Sequence, residues 1–169
     1  MVEATRYPSA GPVSARDPEV AALLDALTSE LALSGYAASE SFGYSVEQLE
    51  QSAVHLVGAR VDGRLVGVGG IELQPGGIVE LKRFFVRPEH RGTGIADTLI
   101  AALIRRSHEE GTQLLRLETG DKQHAAIAFY RRHGFVEVPR FGPYVHSATS
   151  YCMQRNIEPD SAGRARRGV

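Results

Sequence analysis

Val20, Leu23, Leu24, Leu27 and Leu31 recur at helical spacing, one face of an amphipathic helix. Asp17-Pro18 stands directly ahead of them. Asp is a good N-cap and proline is pre-set for the first helical turn, so a helix starts there and Gly35 stops it. Ser45-Val46-Glu47-Gln48 has the form of a capping box opening a second, short helix. The pattern then changes to strands. Residues 53–60 and 65–73 read as two strands joined by the hairpin turn Asp62-Gly63. Pro75-Gly76-Gly77 turns the chain again into a strand over 78–86. Ile95, Leu99, Ala102 and Leu103 return to helical spacing, and Gly111 ends that helix. A short buried strand follows at 114–118, then a helix at 123–133 stopped by Gly134, then strands at 135–138 and 150–155. Residues 2–7 read as a short edge strand and 8–15 as a Pro/Gly/Ser loop.

This order is β, two helices, β-β-β, α, β, α, β-β. It predicts an α/β chain with a mixed sheet, antiparallel at the start and parallel where the central helix crosses over. One domain over 1–157 is expected. Residues 158–169, with Arg164, Arg166 and Arg167 among small residues, read as a disordered tail.

Composition narrows the function. The 169 residues carry a formal net charge of −1, with both signs interspersed up to the tail. That argues against a nucleic-acid-binding surface as the main role. No apolar run approaches the roughly 20 residues of a membrane span, and the N-terminus has no secretory apolar core. A single cysteine, Cys152, allows no internal disulfide and fits a cytoplasmic protein. Cys, His, Asp and Glu show no metal-ligand spacing, so no metal is expected. Cys152 reads as a small hydrophobe, and His124 and His146 as surface residues.

The chemistry concentrates in residues 84–96. A β-branched and aromatic run ends at Val86, Pro88 blocks further pairing at its own nitrogen, and Arg91-Gly92-Thr93-Gly94 leads into a helix near Ile95. A strand, a glycine turn and a helix N-terminus make a place for phosphate, because first-turn N–H groups lack helical partners and the dipole is positive there. Gly94 is followed by Ile95-Ala96, so the Gly-Lys-Ser/Thr ending of a P-loop is absent, as are the spaced glycines of a dinucleotide turn. Arg91-x-x-Gly94-x-Ala96, preceded by Val86-x-Pro88, resembles the Gln/Arg-x-x-Gly-x-Gly/Ala signature of the GNAT acyl-CoA N-acetyltransferases. The element order over about 17–157 resembles that fold as well. The resemblance implies a mainly antiparallel sheet, splayed in a V between two central parallel strands, with helices on both faces. Leu117-Glu118-Thr119-Gly120 and Phe141-Gly142-Pro143-Tyr144 resemble a subgroup of small bacterial members whose substrates are not fixed as a class.

Acetyl transfer from a thioester to an amine requires four things: hold CoA, polarise the carbonyl, deprotonate the ammonium and protonate the leaving thiolate. The resemblance assigns the first to the main chain of Arg91, Gly92, Thr93, Gly94, Ile95 and Ala96, with Gln123 where the family often has Asn. It assigns the second to the backbone of Phe85 and Val86. For the third, Glu80 is the candidate, six residues before Val86 and so on the same face by strict alternation. The alternative is a structural Glu80 paired with Lys82 or a cross-strand base. Glu118, ending the next strand, is the second candidate. For the fourth, Tyr130 in Ala126-Ile127-Ala128-Phe129-Tyr130 with Gly134-Phe135 resembles the family's tyrosine segment.

Of six Phe and six Tyr, Tyr36, Phe42, Tyr44, Phe141, Tyr144 and Tyr151 lie in or beside segments 36–44 and 139–151. Tyr36, Phe42, Tyr44, Phe141 and Tyr144 are the expected walls of an acceptor site, since aromatic faces suit an apolar or cationic amine. The alternative is that these rings only cover the sheet end. The expected protein is a cytoplasmic acetyl-CoA-dependent N-acetyltransferase, monomer or homodimer, acting on a small primary amine in a ternary complex. Its rivals are a protein or peptide acetyltransferase and a non-catalytic CoA-binding sensor.

Overall fold

The computed structural model describes residues 8–40 and 43–157. The expected strand at 2–7, Phe42 and the expected tail at 158–169 lie outside the described residues.

The helix signals act where they stand. Helix α1 spans Pro18–Leu33, with the Asp17 side chain accepting from the Glu19 N–H and proline in its first turn. Its apolar stripe is buried, Val20 and Leu23 completely. Helix α2, Val46–Gln51, has the full capping box: the Ser45 hydroxyl accepts from Gln48 N–H while the Gln48 side chain accepts from Ser45 N–H. Helices α3, Ile95–Glu109, and α4, His124–Arg132, follow the two later periodic segments.

Among the described residues seven strands form one sheet: β1 Ser9–Pro12, β2 Val54–Val61, β3 Arg64–Gln74, β4 Ile78–Val86, β5 Leu114–Gly120, β6 Val136–Val138 and β7 Ser150–Asn156. Their order is β1-β2-β3-β4-β5-β7-β6. Among the described residues only β4 and β5 run parallel. The segment expected to be loop therefore contains β1, which pairs with β2 from Ser9↔Arg60 to Pro12↔Val57. Pro12 is tolerated because β1 is the edge strand of the sheet among the described residues.

The sheet separates two apolar clusters. Helices α3 and α4 pack Ile95, Leu99, Leu103, Ile127 and Tyr130 on Val57, Ile71, Val79, Leu81, Val86, Leu115 and Leu117. Helices α1 and α2 pack Val20, Leu23, Leu24, Leu27 and Leu49 on Leu56, Leu65, Val68 and Phe85. Each fully buried aliphatic side chain of this kind contributes about 1.5–3 kcal/mol relative to exposure.

One irregularity changes the face assignment. Val68 pairs with Phe85, and Gly70 with Lys82, so β4 carries Arg83 and Phe84 opposite the single Gly69. This is a β-bulge, with Arg83 at φ 54°. It inverts the alternation downstream. Glu80, Lys82 and Phe85 share the α1 face, while Val79, Leu81 and Val86 share the α3 face. The expectation that Glu80 and Val86 share a face is therefore overturned, because strict alternation does not survive the inserted residue. Gly69 makes the bulge possible: a Cβ there would meet Leu103 Cδ1 at 2.8 Å and Phe84 Cδ2 at 3.1 Å.

Candidate active site

Strands β4 and β5 pair only at Ile78↔Leu114, Val79↔Leu115 and Glu80↔Arg116. Beyond that point β4 stays on β3 and β5 stays on β7, so the two parallel strands diverge. The gap opens into a cleft of about 1090 Å³. It is lined by both strands, the 91–96 turn, α1 and α4. Because the cleft passes through the sheet, residues from both faces line it.

The β4 backbone presents one edge to the gap. Arg87 N–H bonds Val66 O on β3 at 2.9 Å. Successive backbone groups point to opposite sides of a strand, so Phe85 N–H turns to β3 and Val86 N–H turns to the gap. Of the two proposed polarising residues, it is Val86 that faces the cleft with its amide. The Val86 carbonyl, on the same side, accepts from Arg91 Nε at 2.9 Å.

The glycine turn is an open cradle. Gly92 and Gly94 have φ of 73° and 86°, and a Cβ built at either position would meet nothing within 4 Å. Gly94 is the N-cap of α3 and makes no side-chain cap, so first-turn N–H groups of a 15-residue helix face outward. Arg91, Gly92, Gly94 and Ala96 line the cleft. Thr93 instead bonds His90 O through its hydroxyl, and the Ile95 side chain is buried in the core, leaving their main chain to the turn. The Arg91 guanidinium folds back to Val86 and to Glu30 Oε2 at 2.7 Å, tying the turn to α1. Such a half-exposed ion pair contributes at most about 1 kcal/mol.

On the α4 side, Tyr130 is packed edge-on against Phe84, Phe129 and Phe135, with ring centroids 5.4–6.0 Å apart. It lines the cleft, and its hydroxyl has no hydrogen-bond partner among the described residues. Burial pushes the phenol above its ordinary pKa, so it keeps its proton at neutral pH. Gln123 precedes α4, lines the cleft and donates from Nε2 to Ser34 Oγ at 3.2 Å.

On the α1 face lies a buried polar network. Glu80 is 2% exposed. Its Oε1 accepts from the Tyr144 hydroxyl at 2.5 Å and lies 3.0 Å from Lys82 Nζ. Its Oε2 accepts from Gln74 Nε2 at 2.7 Å. Lys82 Nζ also donates to the Tyr144 oxygen at 3.1 Å and sits 4.7 Å from the Tyr44 ring centre. Burial and the facing Glu80 push the Tyr144 phenol up. The Tyr44 phenol is pushed up to about 12, first by its hydrogen bond to Glu72 and then by burial. A buried pair of this kind adds little net stability, yet removing one partner costs about 3–5 kcal/mol. Lys82 and Tyr144 line the cleft, whereas Glu80 stands behind them. With both oxygens engaged, the Glu80 carboxylate has the geometry of a positioning group.

Glu118 differs. It lines the cleft from β5 and its Oε1 accepts from Ser150 Oγ at 2.8 Å. Burial raises its pKa above the ordinary carboxylate value, and the Ser150 bond only partly opposes this. A carboxylate with raised pKa facing a cleft suits proton abstraction at neutral pH.

The aromatic segments divide. Tyr36 and Tyr144 line the cleft. Tyr36 joins α1 to the β5–α4 loop: its hydroxyl donates to Asp121 Oδ1 at 3.2 Å and accepts from Lys122 N–H at 2.7 Å. Tyr44 and Phe141 do not line it. Tyr44 lies beside Lys82, and Phe141 stacks with the Arg116 guanidinium, 4.0 Å from its ring centre. Tyr151 packs with the α3-side cluster and bonds Arg131 and Glu137. The Glu80–Lys82 pairing is the structural alternative read for Glu80 in the sequence, and the bulge that turns Arg83 to the same face has its one sequence cue in Gly69 inside β3.

Residues 22–135 match the Acetyltransferase (GNAT) family. The IAA acetyltransferase of Azospirillum brasilense is 34% identical over 123 residues, 72% of this chain and 80% of that protein. The crystal structure of a protein assigned as an acyl-CoA N-acyltransferase, from Klebsiella pneumoniae subsp. pneumoniae, superposes with a TM-score of 0.76 at 32% identity. It covers 89% of this chain and 98% of its own. The PaiA N-acetyltransferase of Thermoplasma acidophilum, solved with coenzyme A, shares the fold with a TM-score of 0.72 at 19% identity, over 89% of this chain and 99% of that one. Among the described residues no group of His, Cys, Asp and Glu could hold a metal, and no helix is long and apolar enough to cross a membrane. With its splayed parallel pair, open glycine turn and family match over most of its length, the chain belongs to the GNAT family of acetyltransferases.

Proposed function

We propose that the protein transfers acetyl from acetyl-CoA to a primary amine of a small molecule, by direct attack in a ternary complex. The observation that carries this reading is the meeting of an open anion cradle, a free strand edge and a raised-pKa carboxylate in one cleft. The 91–96 main chain holds the pyrophosphate, and the β4 edge takes pantetheine. Val86 N–H polarises the acetyl carbonyl. The amine approaches from the α1 side, between Tyr36 and Tyr144. A free alkylamine has a pKa near ~10.4, so it arrives charged and must lose a proton. Glu118 takes that proton, and Glu80 holds Lys82 and Tyr144 in place beside it. The nitrogen bonds to the acetyl carbon, the carbon–sulfur bond breaks, Tyr130 gives a proton to the thiolate, and the second proton shed by the nitrogen as it becomes an amide restores the phenol. Cys152 takes no part: it is buried, and burial raises its pKa.

The test is CoA release from acetyl-CoA across a panel of amines, with mass spectrometry of the product. At least one small amine is expected to gain 42 Da, the acetyl increment, in step with CoA release. Acetyl-CoA binding without turnover on any small amine, but with acetylation of peptides, would move the acceptor to the polypeptide class.

A further inference from the structure

The charged side chains lining the cleft are mostly matched. Glu30 pairs with Arg91, Asp97 with His133, and Lys82 with Glu80. Glu40 caps the Ala37 N–H, and the exposed Arg132 lies over the Phe129 ring on the α4 side. Arg83 and Glu118 remain. Both line the cleft, and neither has an oppositely charged partner within ion-pair distance among the described residues.

Arg83 is held in an unusual way. The bulge places it in the left-handed region, at φ 54°, where an arginine is uncommon. Its Nη2 donates to Leu24 O at 2.9 Å and to Thr28 Oγ1 at 2.7 Å, both uncharged acceptors on α1. Among the described residues, Nε is buried without a partner and Nη1 makes no hydrogen bond. A Cβ on Gly43 would fall 2.3 Å from Nη1, so a larger residue there would push the guanidinium from this position. Burial disfavours the cation here, and Asp25 acts on it only at longer range. A cleft-lining guanidinium whose Nη1 is not engaged by the described residues is suited to an anion such as a carboxylate. Glu118 across the gap on β5 is suited to a cation. Two unmatched charges of opposite sign in one cleft fit a ligand that carries both.

We propose that the acceptor is a free amino acid, its carboxylate held by Arg83 and its amine presented to Glu118. This rests on the acetyltransferase reading above and narrows its substrate class. Arg83 then sets specificity and acts on KM, while Glu118 acts on the reacting nitrogen. Lys82 does not compete for the carboxylate, because Glu80 and Tyr144 already engage it.

The experiment compares the wild-type enzyme on matched acceptors: phenylalanine with phenethylamine, leucine with 3-methylbutylamine, lysine with cadaverine, and each amino acid with its amide. CoA release should favour the carboxylate-bearing member by about 10- to 100-fold in kcat/KM, the worth of hydrogen bonds to a charged group. In Arg83→Gln that preference should collapse through a raised KM for the amino acid, with acetyl-CoA affinity kept. Arg83→Lys retains the charge but not the fork, and should keep only part of the preference. Amines or amides acetylated as fast as the amino acids by the wild type would overturn the proposal while leaving the acetyltransferase reading intact. A folded Arg83→Gln that keeps the full preference would also overturn it. If neither variant folds, the wild-type comparison decides alone. No CoA release with any small amine would instead sink the small-molecule reading on which this rests.

Discussion

Glu118→Gln should lower kcat/KM at neutral pH by about 100- to 1000-fold, within the usual worth of a positioned base. The loss should shrink as pH rises towards the pKa of the acceptor amine, because a neutral amine needs no base. The wild-type profile follows from the direction of the shift. Burial raises the Glu118 pKa above the ordinary carboxylate value. The active form is the carboxylate, so activity is present above that raised pKa and is lost as pH falls through it. The acid limb should therefore sit higher than an ordinary carboxylate would place it, and it should vanish in Glu118→Gln. A variant profile merely scaled down by a constant would remove Glu118 as the base. Loss of the limb in Glu80→Gln, with Glu118→Gln retaining it, would route the proton through the Tyr144 hydroxyl to Glu80, which are already hydrogen-bonded.

Tyr130→Phe should lower kcat by about 100-fold and leave acetyl-CoA affinity unchanged. The phenol acts on a thiolate that exists only as the reaction proceeds, so it has little to bind in the ground state. The structure supports separating the two effects. Phe keeps the ring contacts with Phe84, Phe129 and Phe135, and the removed hydroxyl leaves no partner unpaired among the described residues. Packing should survive and unfolding temperature should hold. Single-turnover measurements check that chemistry is the slow step. A variant turning over at the wild-type rate under that condition would reduce Tyr130 to a core residue.

What could be read from the residues was local. Asp17-Pro18, the Ser45 box, Asp62-Gly63 and Gly134 each encode a cap or turn in their own backbone preferences, and the elements they bound fall within a residue or two of the spacing-based limits. Strand β1 was missed because Ala10 and Gly11 have no strand preference, and an edge position beside β2 is a tertiary circumstance. The bulge was missed for a similar reason. Arg83 occupies a left-handed conformation that would have been marked by Gly or Asn, and here it is held by its bonds to α1. That one extra residue moved Val86 to the face opposite Glu80 and brought Arg83 beside Lys82. The glycine turn and Tyr130 were legible because their motifs are short and contiguous. The Glu80–Lys82 pair was legible as the structural alternative for Glu80, but its link to Tyr144 was not, because Tyr144 lies far along the chain and the β5–β7 pairing brings its loop back to the cleft.

Acetyl-CoA is expected to occupy the cleft at the 91–96 turn. Titration calorimetry with acetyl-CoA, on the wild type and on Gly94→Glu, tests this most directly. The substitution sets a side chain and a negative charge in open space at the N-cap of α3, where the pyrophosphate would lie. The wild type should bind one acetyl-CoA per chain, and the folded variant should lose at least about 100-fold in affinity, the cost of a like-charge clash where a charge-assisted contact stood. Unchanged affinity in a Gly94→Glu variant that unfolds at the wild-type temperature would contradict the account.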